Sequence, residues 1–367
     1  MTGNTNNNGN NNKPFPGKIA VITSAVSINK DNYHSADRLL AKYGTEKIIH
    51  ASWPVNFMAE TGQIIDIVSG FAEDKDIRTI ILNQAYPGSN TAVDKLKETR
   101  DDIFIVYCTN HDPTPEAVKR ANLLFSTNEQ GMGEAMVKQT KKQGAKVFVH
   151  YSFPRHTALG FVKIRRKKII ETCAAEGIKF VDAVALDPAG DAGLVAAQQF
   201  ILEDVPKLVA KYGEDTAFFS TNCTLQAPLV KAVVDCHAIY PQPCCPSPFH
   251  GFPEALGINV SESQDDLNYV LSEACRIAEE KNMTDRLSTW PVSAPLMFTN
   301  AGAEYAIKWI KGEVPKTEID NKVLLECMHN YITEVIGEES NVYMTSNTED
   351  GITYNNFKLL LMSYLDF

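Results

Sequence analysis

The chain has 367 residues, of which 44% are hydrophobic and 22% charged, and its formal net charge is −10. This length predicts two domains of roughly 150 residues each. No stretch of the sequence reaches the ~20 consecutive apolar residues that a membrane-spanning helix needs. The negative charge argues against binding to a nucleic acid, because contacts with a phosphate backbone require clustered Lys and Arg.

The N-terminal tail is rich in asparagine, and seven of the first twelve residues are Asn. Asn and Gly cannot bury enough apolar surface to offset the loss of chain entropy, so we expect residues 1–13 to form a disordered tether. Pro14 and Pro16 stiffen the chain where it leaves this segment. From the residues alone the tail is a tether, a cloning remnant or a solubilising tip.

Beyond the tail, short apolar runs alternate with amphipathic helical patterns, which is typical of parallel α/β architecture. The predicted strands are 18–23, 47–52, 78–83, 103–108, 122–127, 146–151, 178–185, 216–221 and 237–242. The predicted helices between them include 35–44, 61–74, 131–144 and 193–213. The C-terminal third has helical patterns at 261–282, 301–313 and 321–337, with a further strand at 286–293. This order predicts two successive doubly wound sheets.

Several motifs of enzymes are absent from the sequence. It contains no G-x-G-x-x-G dinucleotide turn, no G-x-x-x-x-G-K-[ST] loop, no G-x-S-x-G elbow and no H-E-x-x-H motif. Gly131 and Gly133 fall within a helical pattern rather than between a strand and a helix, so they do not indicate a nucleotide site. We therefore expect no cofactor and no catalytic residue.

The predicted binding residues follow the strands, because ligands of doubly wound sheets lie outside the carboxyl ends of the strands. Most of these residues are aromatic or carry uncharged hydrogen-bonding groups, which favours recognition over bond breaking. The candidates are Ser24, Trp53, Asn83, Gln84, Tyr86, Asn110, His111, Asn128, Tyr151, Phe153, Arg155, Asp187, Asn222, His250 and Trp290.

Each candidate also has an ordinary structural interpretation. An Asn at the end of a strand often caps a turn or helix, Trp53 can pack against the sheet edge, and His111 can belong to the loop before a helix. Arg155 and Asp187 are stronger candidates because a charged side chain at a strand end needs a partner. The basic run at 163–168 is interpreted as a solvated helix face rather than an anion site.

Cysteine usage gives a further constraint. The eight cysteines are Cys108, Cys173, Cys223, Cys236, Cys244, Cys245, Cys275 and Cys327. They form no paired C-x-x-C framework, so their spacing implies no zinc site. Cys244 and Cys245 could bind a metal together with His250, but a surface loop punctuated by prolines is the favoured interpretation. Unpaired cysteines in this number suggest a reducing compartment or an anaerobic producer.

The segment from 122 to 222 resembles the centre of type I periplasmic binding proteins. Within NLLFSTNEQGMGEAMVKQTKKQGAKVFVHYSFPRHTALGFVKIRRKK, a strand leads into a helix begun by Asn128, and a later helix follows Arg155 and the pair Gly160-Phe161. DTAFFSTNCTLQAPLVKAVV (215–234) and FTNAGAEYAIKWIKGE (298–313) are similar to later elements of the same superfamily. More specifically, the chain looks like an uncharacterised family of bacterial lipoproteins with this fold.

The resemblance implies two Rossmann-like lobes with parallel sheets, joined by a multi-crossover hinge that closes on a ligand. The expected crossovers lie near 126–128, 282–286 and 313–316. The expected N-terminal lobe comprises 14–126 plus 286–314, and the expected C-terminal lobe comprises 127–285 plus 315–367.

The function expected from this resemblance is an extracytoplasmic solute-binding lipoprotein that delivers a small polar ligand to an ABC permease or a membrane sensor. In that case the Asn tail is the spacer after a lipidated cysteine, and this inferred anchor is the protein's contact with the membrane. Free thiols are unusual in an exported protein unless its producer lives without oxygen. The alternatives are a regulator-like effector protein without its own DNA-binding domain, and an α/β enzyme using His111, Asp187 or Cys108.

Overall fold

The computed structural model describes residues 15–27, 29–57, 59–260, 267–337 and 340–367. The expected tether at 1–13 and the first residues of the predicted helix 261–282 lie outside these ranges. Within the described residues, strands and helices alternate as predicted, and the α/β class with parallel sheets is confirmed. No helix in these ranges is long and apolar enough to span a membrane.

The strands are β1 (Lys18–Thr23), β2 (Ile48–Ser52), β3 (Ile77–Ala85), β4 (Phe104–Asn110), β5 (Leu123–Thr127), β6 (Val147–Ser152), β7 (Lys179–Val184), β8 (Thr216–Ser220), β9 (Ser288–Thr289), β10 (Val342–Glu349), β11 (Ile352–Met362) and β12 (Leu365–Asp366). The helices are α1 (Lys30–His34), α2 (Asp37–Tyr43), α3 (Thr61–Gly70), α4 (Ser89–Lys97), α5 (Thr114–Ala117), α6 (Glu129–Lys142), α7 (Pro154–Thr157), α8 (Gly160–Glu176), α9 (Gly193–Tyr212), α10 (Gln226–Asp235), α11 (Phe252–Leu256), α12 (Leu267–Glu280), α13 (Ala294–Lys311) and α14 (Asn321–Ile336). Short 3₁₀ turns occur at Phe71–Glu73 and Cys223–Leu225.

The larger sheet has the strand order β10-β11-β5-β4-β3-β1-β2. Strand β1 pairs in parallel with both β2 and β3, and β3 pairs in parallel with β4. Ile19 to Ile22 of β1 are fully buried, as expected for a central strand of a parallel sheet that is covered on both faces. The sheet therefore places the carboxyl ends of β1, β2, β3 and β4 along one edge.

The smaller sheet has the order β7-β6-β8, and all three of its strands run in parallel. It continues through single parallel bridges from Ala217 to Ile239 and from Tyr240 to Leu287. The predicted strand at 237–242 is thus reduced to two bridging residues. Prolines at 241 and 243 explain the difference, because proline cannot donate to a strand ladder.

The chain divides into two compact units. Unit 1 consists of Met1–Leu124, Phe298–Cys327 and Tyr354–Phe357, and unit 2 consists of Phe125–Met297, Met328–Thr353 and Lys358–Phe367. The sequence placed the return to the first lobe at residue 286, whereas unit 1 resumes at Phe298. Antiparallel pairing of β9 with β12 holds the intervening segment in unit 2.

Helices α6 and α8 pack closely in unit 2 because of a glycine. A Cβ atom at Gly133 would lie 2.7 Å from the backbone oxygen of Arg165 and 3.2 Å from the Cβ atom of Lys168. The helix axes can approach this closely only while residue 133 has no side chain. The contact supports the core formed by Met136, Phe148 and neighbouring residues.

We expect Gly133→Ala to destabilise the protein by about 1–3 kcal/mol, the usual cost of overpacking a well-packed core. The measurement is urea unfolding followed by circular dichroism. Gly160→Ala is the matched control, since a Cβ atom at Gly160 in α8 would meet nothing within 4 Å. Equal stability of the two variants would contradict the proposed role of Gly133.

Candidate functional site

Four aromatic rings of unit 1 gather at the carboxyl ends of β2, β3 and β4 in the larger sheet: Trp53, Phe57, Tyr86 and His111, here called the aromatic cluster. The ring centroid of Tyr86 lies 3.7 Å from that of Phe57, 5.2 Å from that of His111 and 6.3 Å from that of Trp53. The hydroxyls of Tyr86 and Ser24 are 2.9 Å apart. The structure thus brings together four predicted residues and adds Phe57, whose position in a loop gave no signal in the sequence.

Two residues beside this cluster have backbones in the left-handed region, although neither is glycine. Gln84 has a φ of 63° and Thr109 a φ of 55°, and both lie between the last two paired positions of β3 and β4. The Oε1 atom of Gln84 lies 2.8 Å from Nε2 of His111. Such conformations cost about 1–3 kcal/mol each and concentrate at functional sites.

Other predicted residues of unit 1 make internal contacts. Asn83 is fully buried, and its Nδ2 donates to the Thr299 hydroxyl at 2.8 Å. The buried indole of Trp53 donates to the backbone oxygen of Asn83 at 3.1 Å. Asn110 donates to the backbone oxygen of Asp112 at 2.6 Å. These hydrogen bonds hold the three side chains within unit 1, and their contact with a ligand stays a prediction.

The aromatic cluster is electrically neutral at neutral pH. Burial raises the pKa of Tyr86, partly offset by its hydrogen bond with Ser24. Desolvation by neighbouring atoms lowers the pKa of His111 even though the residue is exposed, so this imidazole is uncharged at neutral pH. The edge therefore offers ring faces together with neutral donors and acceptors, a combination suited to an uncharged polar molecule.

At the carboxyl edge of unit 2, Arg155 forms a two-pronged ion pair with Asp187, with both N–O distances 2.8 Å. The partner that each charge was expected to need is thus supplied within the unit. The guanidinium of Arg155 also lies 5.3 Å from the ring centre of the buried Phe153. Tyr151 is buried, and its hydroxyl donates to Asp204 at 2.8 Å.

Two predicted asparagines of unit 2 act as caps. The Oδ1 of Asn128 accepts from the backbone N–H of Gly131 at 2.8 Å at the start of α6. The Oδ1 of Asn222 accepts from the backbone N–H of Thr224 at 2.9 Å. Trp290 is buried, with 1% of its surface exposed. These observations match the ordinary structural interpretation, and contact of these residues with a ligand stays a prediction.

A cavity of about 540 Å³ opens beside the carboxyl ends of β6 and β7, and its volume is in the usual range of small-molecule pockets. It is lined by Ser152, Phe153, Pro154, Thr157, Ala158, Val162, Lys163, Arg166, Asp182, Ala183 and Val184. Arg166 donates from Nε to Asp182 at 3.0 Å. Part of the basic run at 163–168, interpreted from the sequence as a solvated face, thus lines a cavity.

Three cysteines and a histidine meet at the carboxyl end of β8, and this group is here called the thiol–imidazole cluster. The ligand atoms of Cys223, Cys244, Cys245 and His250 all lie within 4.8 Å of one another. Cys244 is buried, whereas Cys223 and Cys245 are exposed. The sequence pointed to Cys244, Cys245 and His250 and favoured a surface loop. Cys223 is distant in sequence, so only the fold reveals that it completes the group.

Comparison with known proteins defines the family. A family model described as "Protein of unknown function (DUF3798)" matches residues 17–288, and the chain belongs to this family. An uncharacterised protein of Treponema pallidum (strain Nichols) is 27% identical over 194 residues, which cover 53% of this chain and 88% of the relative.

Two solved structures show the same fold. A candidate transcriptional regulator from Clostridium difficile 630 matches with a TM-score of 0.85 and 22% identity over 97% of this chain and 100% of its own. A substrate-binding protein of a sugar ABC transport system from Bordetella parapertussis 12822 matches with a TM-score of 0.53 and 11% identity over 97% and 90%. The predicted type I periplasmic binding protein-like fold is confirmed.

Near the cavity, the buried His150 is expected to make the free energy of unfolding depend on pH. His150 in β6 has 1% of its side chain exposed and faces Asp182 on β7 and Arg165 and Arg166 on α8. Burial lowers its pKa, Asp182 partly opposes this, and the two arginines add to it. In the unfolded chain the histidine pKa is about 6.5, so below this pH the unfolded chain binds a proton at His150 while the folded chain does not.

We expect stability to fall as the pH drops below about 6.5, with a limiting slope for His150 of about 1.4 kcal/mol per pH unit. His150→Phe, between the rings of Phe180 and Phe219, should flatten this slope. Urea unfolding at a series of pH values from 8 down to about 5 measures both proteins. An unchanged slope in the variant would show that other groups cause the acid sensitivity.

Proposed function

We propose that this member of the DUF3798 family is an extracytoplasmic solute-binding protein that binds a small polar molecule reversibly and without chemical change. The observation that carries the proposal is the aromatic cluster beside the left-handed pair Gln84 and Thr109. Both lie at the carboxyl edge of a parallel sheet, where doubly wound folds bind their ligands. Strained backbone at this edge is consistent with a surface maintained for recognition.

The chemistry of the edge favours an uncharged ligand such as a sugar, a nucleoside or a neutral amino-acid derivative. Phe57 is partly exposed and His111 is exposed, so these two rings can contact an apolar ring face, and the side-chain amide of Gln84 supplies a hydrogen-bond donor beside them. Burial raises the pKa of Tyr86 and desolvation lowers the pKa of the exposed His111, so both side chains are uncharged at neutral pH. The Bordetella protein of similar fold is a substrate-binding protein of a sugar ABC transport system, and this similarity supports a solute-binding role here.

In this proposal the ligand passes to an ABC importer or a membrane sensor, and residues 1–13 tether the protein to the outer face of the cell membrane. The support for the tether is the composition of the tail, which has seven asparagines in its first twelve residues.

We expect a thermal-shift screen of neutral sugars, nucleosides and amino-acid derivatives to yield a ligand that raises the melting temperature, because ligand binding stabilises the folded state. His111→Ala and Gln84→Ala should each weaken that ligand by about tenfold, the value of one or two hydrogen bonds. The affinities can be measured by isothermal titration calorimetry.

The matched control is His34→Ala, which alters a partly exposed histidine of unit 1 that pairs with Asp37 outside the aromatic cluster. It should leave the affinity unchanged. If no compound in the screen moves the melting temperature, the solute-binding proposal fails. If a ligand binds but His111→Ala and Gln84→Ala both retain full affinity, the binding site lies elsewhere.

A second candidate is a ligand-sensing regulator, favoured by the high structural similarity to the candidate transcriptional regulator of Clostridium difficile. The net charge of −10 disfavours direct contact with DNA. In this alternative the protein responds to its ligand through a partner protein.

We expect no sequence-specific retardation of DNA in gel-shift assays at low salt, where electrostatic binding is strongest. The assay uses restriction fragments of the producer's genome and a basic DNA-binding protein as the positive control. Specific retardation that a small ligand abolishes would rank the regulator above the solute-binding protein.

A further inference from the structure

The thiol–imidazole cluster has the composition of a metal site. Its donors come from the 3₁₀ turn after β8, which carries Cys223, and from the loop before α11, which carries Cys244, Cys245 and His250. Three cysteines and one histidine are a common ligand set of tetrahedral zinc. All four donor atoms belong to unit 2 and lie within 4.8 Å of one another.

The distances between the sulfurs fit one shared ion. The Sγ atoms of Cys223 and Cys244 are 3.4 Å apart, those of Cys223 and Cys245 are 3.8 Å apart, and those of Cys244 and Cys245 are 3.9 Å apart. Thiolates bound at about 2.3 Å around a tetrahedral centre are separated by about 3.8 Å. A disulfide would require about 2.05 Å, so the three sulfurs are grouped without being bonded.

The imidazole of His250 is oriented as metal-binding histidines are. Its Nδ1 lies 3.0 Å from the backbone oxygen of Cys245, and its Nε2 lies 3.4 Å from the backbone oxygen of Cys223. Donation from Nδ1–H to the nearer carbonyl selects the tautomer whose Nε2 is unprotonated and can bind a metal ion. Hydrogen bonding of the remote nitrogen to a carbonyl is the usual way of fixing a histidine ligand.

The backbone around the cluster is fixed by close packing. Gly251, directly after His250, has a φ of +87°, and a Cβ atom there would lie 2.8 Å from that of Gln226 at the start of α10. The buried Gln226 donates to the backbone oxygen of Asn222 at 2.6 Å and accepts a hydrogen bond from Tyr240. The two loops that supply the donors are therefore held against the same helix.

A buried ion pair lies beside the cluster. One divalent ion with three thiolates and a neutral imidazole carries a net charge of −1. Arg165 has 3% of its side chain exposed and lies within electrostatic range of Cys223. Its Nη1 donates to Glu129 at 2.8 Å, while its Nε is buried with no hydrogen-bond partner among the described residues. The guanidinium attracts the thiolates, but the Glu129 carboxylate that it pairs with also lies within electrostatic range of Cys245, so the ion pair as a whole adds no net charge beside the cluster.

We propose that Cys223, Cys244, Cys245 and His250 bind one Zn²⁺ ion in a closed tetrahedral site. Binding releases one proton for each thiol that is protonated beforehand, and no oxidant or reductant takes part. Since all four positions are taken by the protein, the ion fastens the turn after β8 to the loop before α11 rather than activating water. This inference stands on unit 2 alone and does not depend on the proposed solute.

The test uses the whole chain, purified under reducing conditions, stripped with a chelator and titrated with Co²⁺. One equivalent should produce intense tetrahedral d–d bands together with thiolate-to-cobalt charge-transfer absorption. One equivalent of Zn²⁺ should then abolish both signals, because zinc binds such sites more tightly than cobalt. Elemental analysis of protein purified without chelator should give one zinc per chain.

Variants assign the ligands. Cys223→Ser, Cys245→Ser and His250→Ala should each weaken Co²⁺ binding by at least about 100-fold. Gly251→Ala should weaken it without removing a donor, because the added methyl group displaces His250. Cys275→Ser and His329→Ala are matched controls, one an exposed cysteine and the other a histidine of α14, both in unit 2 outside the cluster. Both should bind like the unmodified protein.

The titration of the unmodified protein remains decisive even if a variant fails to fold. Absence of the charge-transfer band, or an octahedral spectrum that the cysteine variants retain, would overturn the proposal. Iron with inorganic sulfide in the purified protein would replace the single ion by a cluster and also overturn it. A failed solute screen would leave this result untouched, so the two proposals fail separately.

Discussion

Parallel pairing of the strands is the constraint on which the rest of the structure depends. Because β1 to β4 run in the same direction, as do β6, β7 and β8, all their carboxyl ends lie along one edge of each sheet. The chain must leave every strand at that edge, so loops with free side chains accumulate there. The aromatic cluster, the cavity beside β7 and the thiol–imidazole cluster all occupy such edges.

The fold could be predicted largely from local patterns, since strands buried on both faces appear as continuous apolar runs. The run at 18–23 coincides with β1, and the resemblance to periplasmic binding proteins is confirmed by structures of that fold. The prediction of a strand failed at 237–242, where the residues are apolar but the prolines cannot donate the hydrogen bonds of a sheet. The segment 237–242 is apolar enough for a strand, but its proline and the one following leave only isolated bridges.

The sites were less predictable, because a polar residue at a strand end looks the same whether its partner is a ligand or the protein. Asn83 finds its partners inside unit 1, and Asn128 caps a helix. Clusters whose side chains come from distant segments of the chain are even harder to predict from the sequence. Phe57 stacks on Tyr86 from a loop, and Cys223 reaches the Cys244-Cys245 pair only through the pairing of β8 with its neighbours.

The thiol–imidazole cluster has a consequence for the oxidation of its cysteines. Adjacent residues have Cα atoms about 3.8 Å apart, closer than an unstrained disulfide allows, so Cys244 and Cys245 are poor partners for each other. Cys223 can pair with only one of them. Three neighbouring thiols are an odd number, and oxidation without a bound ion would leave one thiol exposed to a second molecule. A metal ion bound at the proposed site would therefore protect all three thiols from forming disulfides in air.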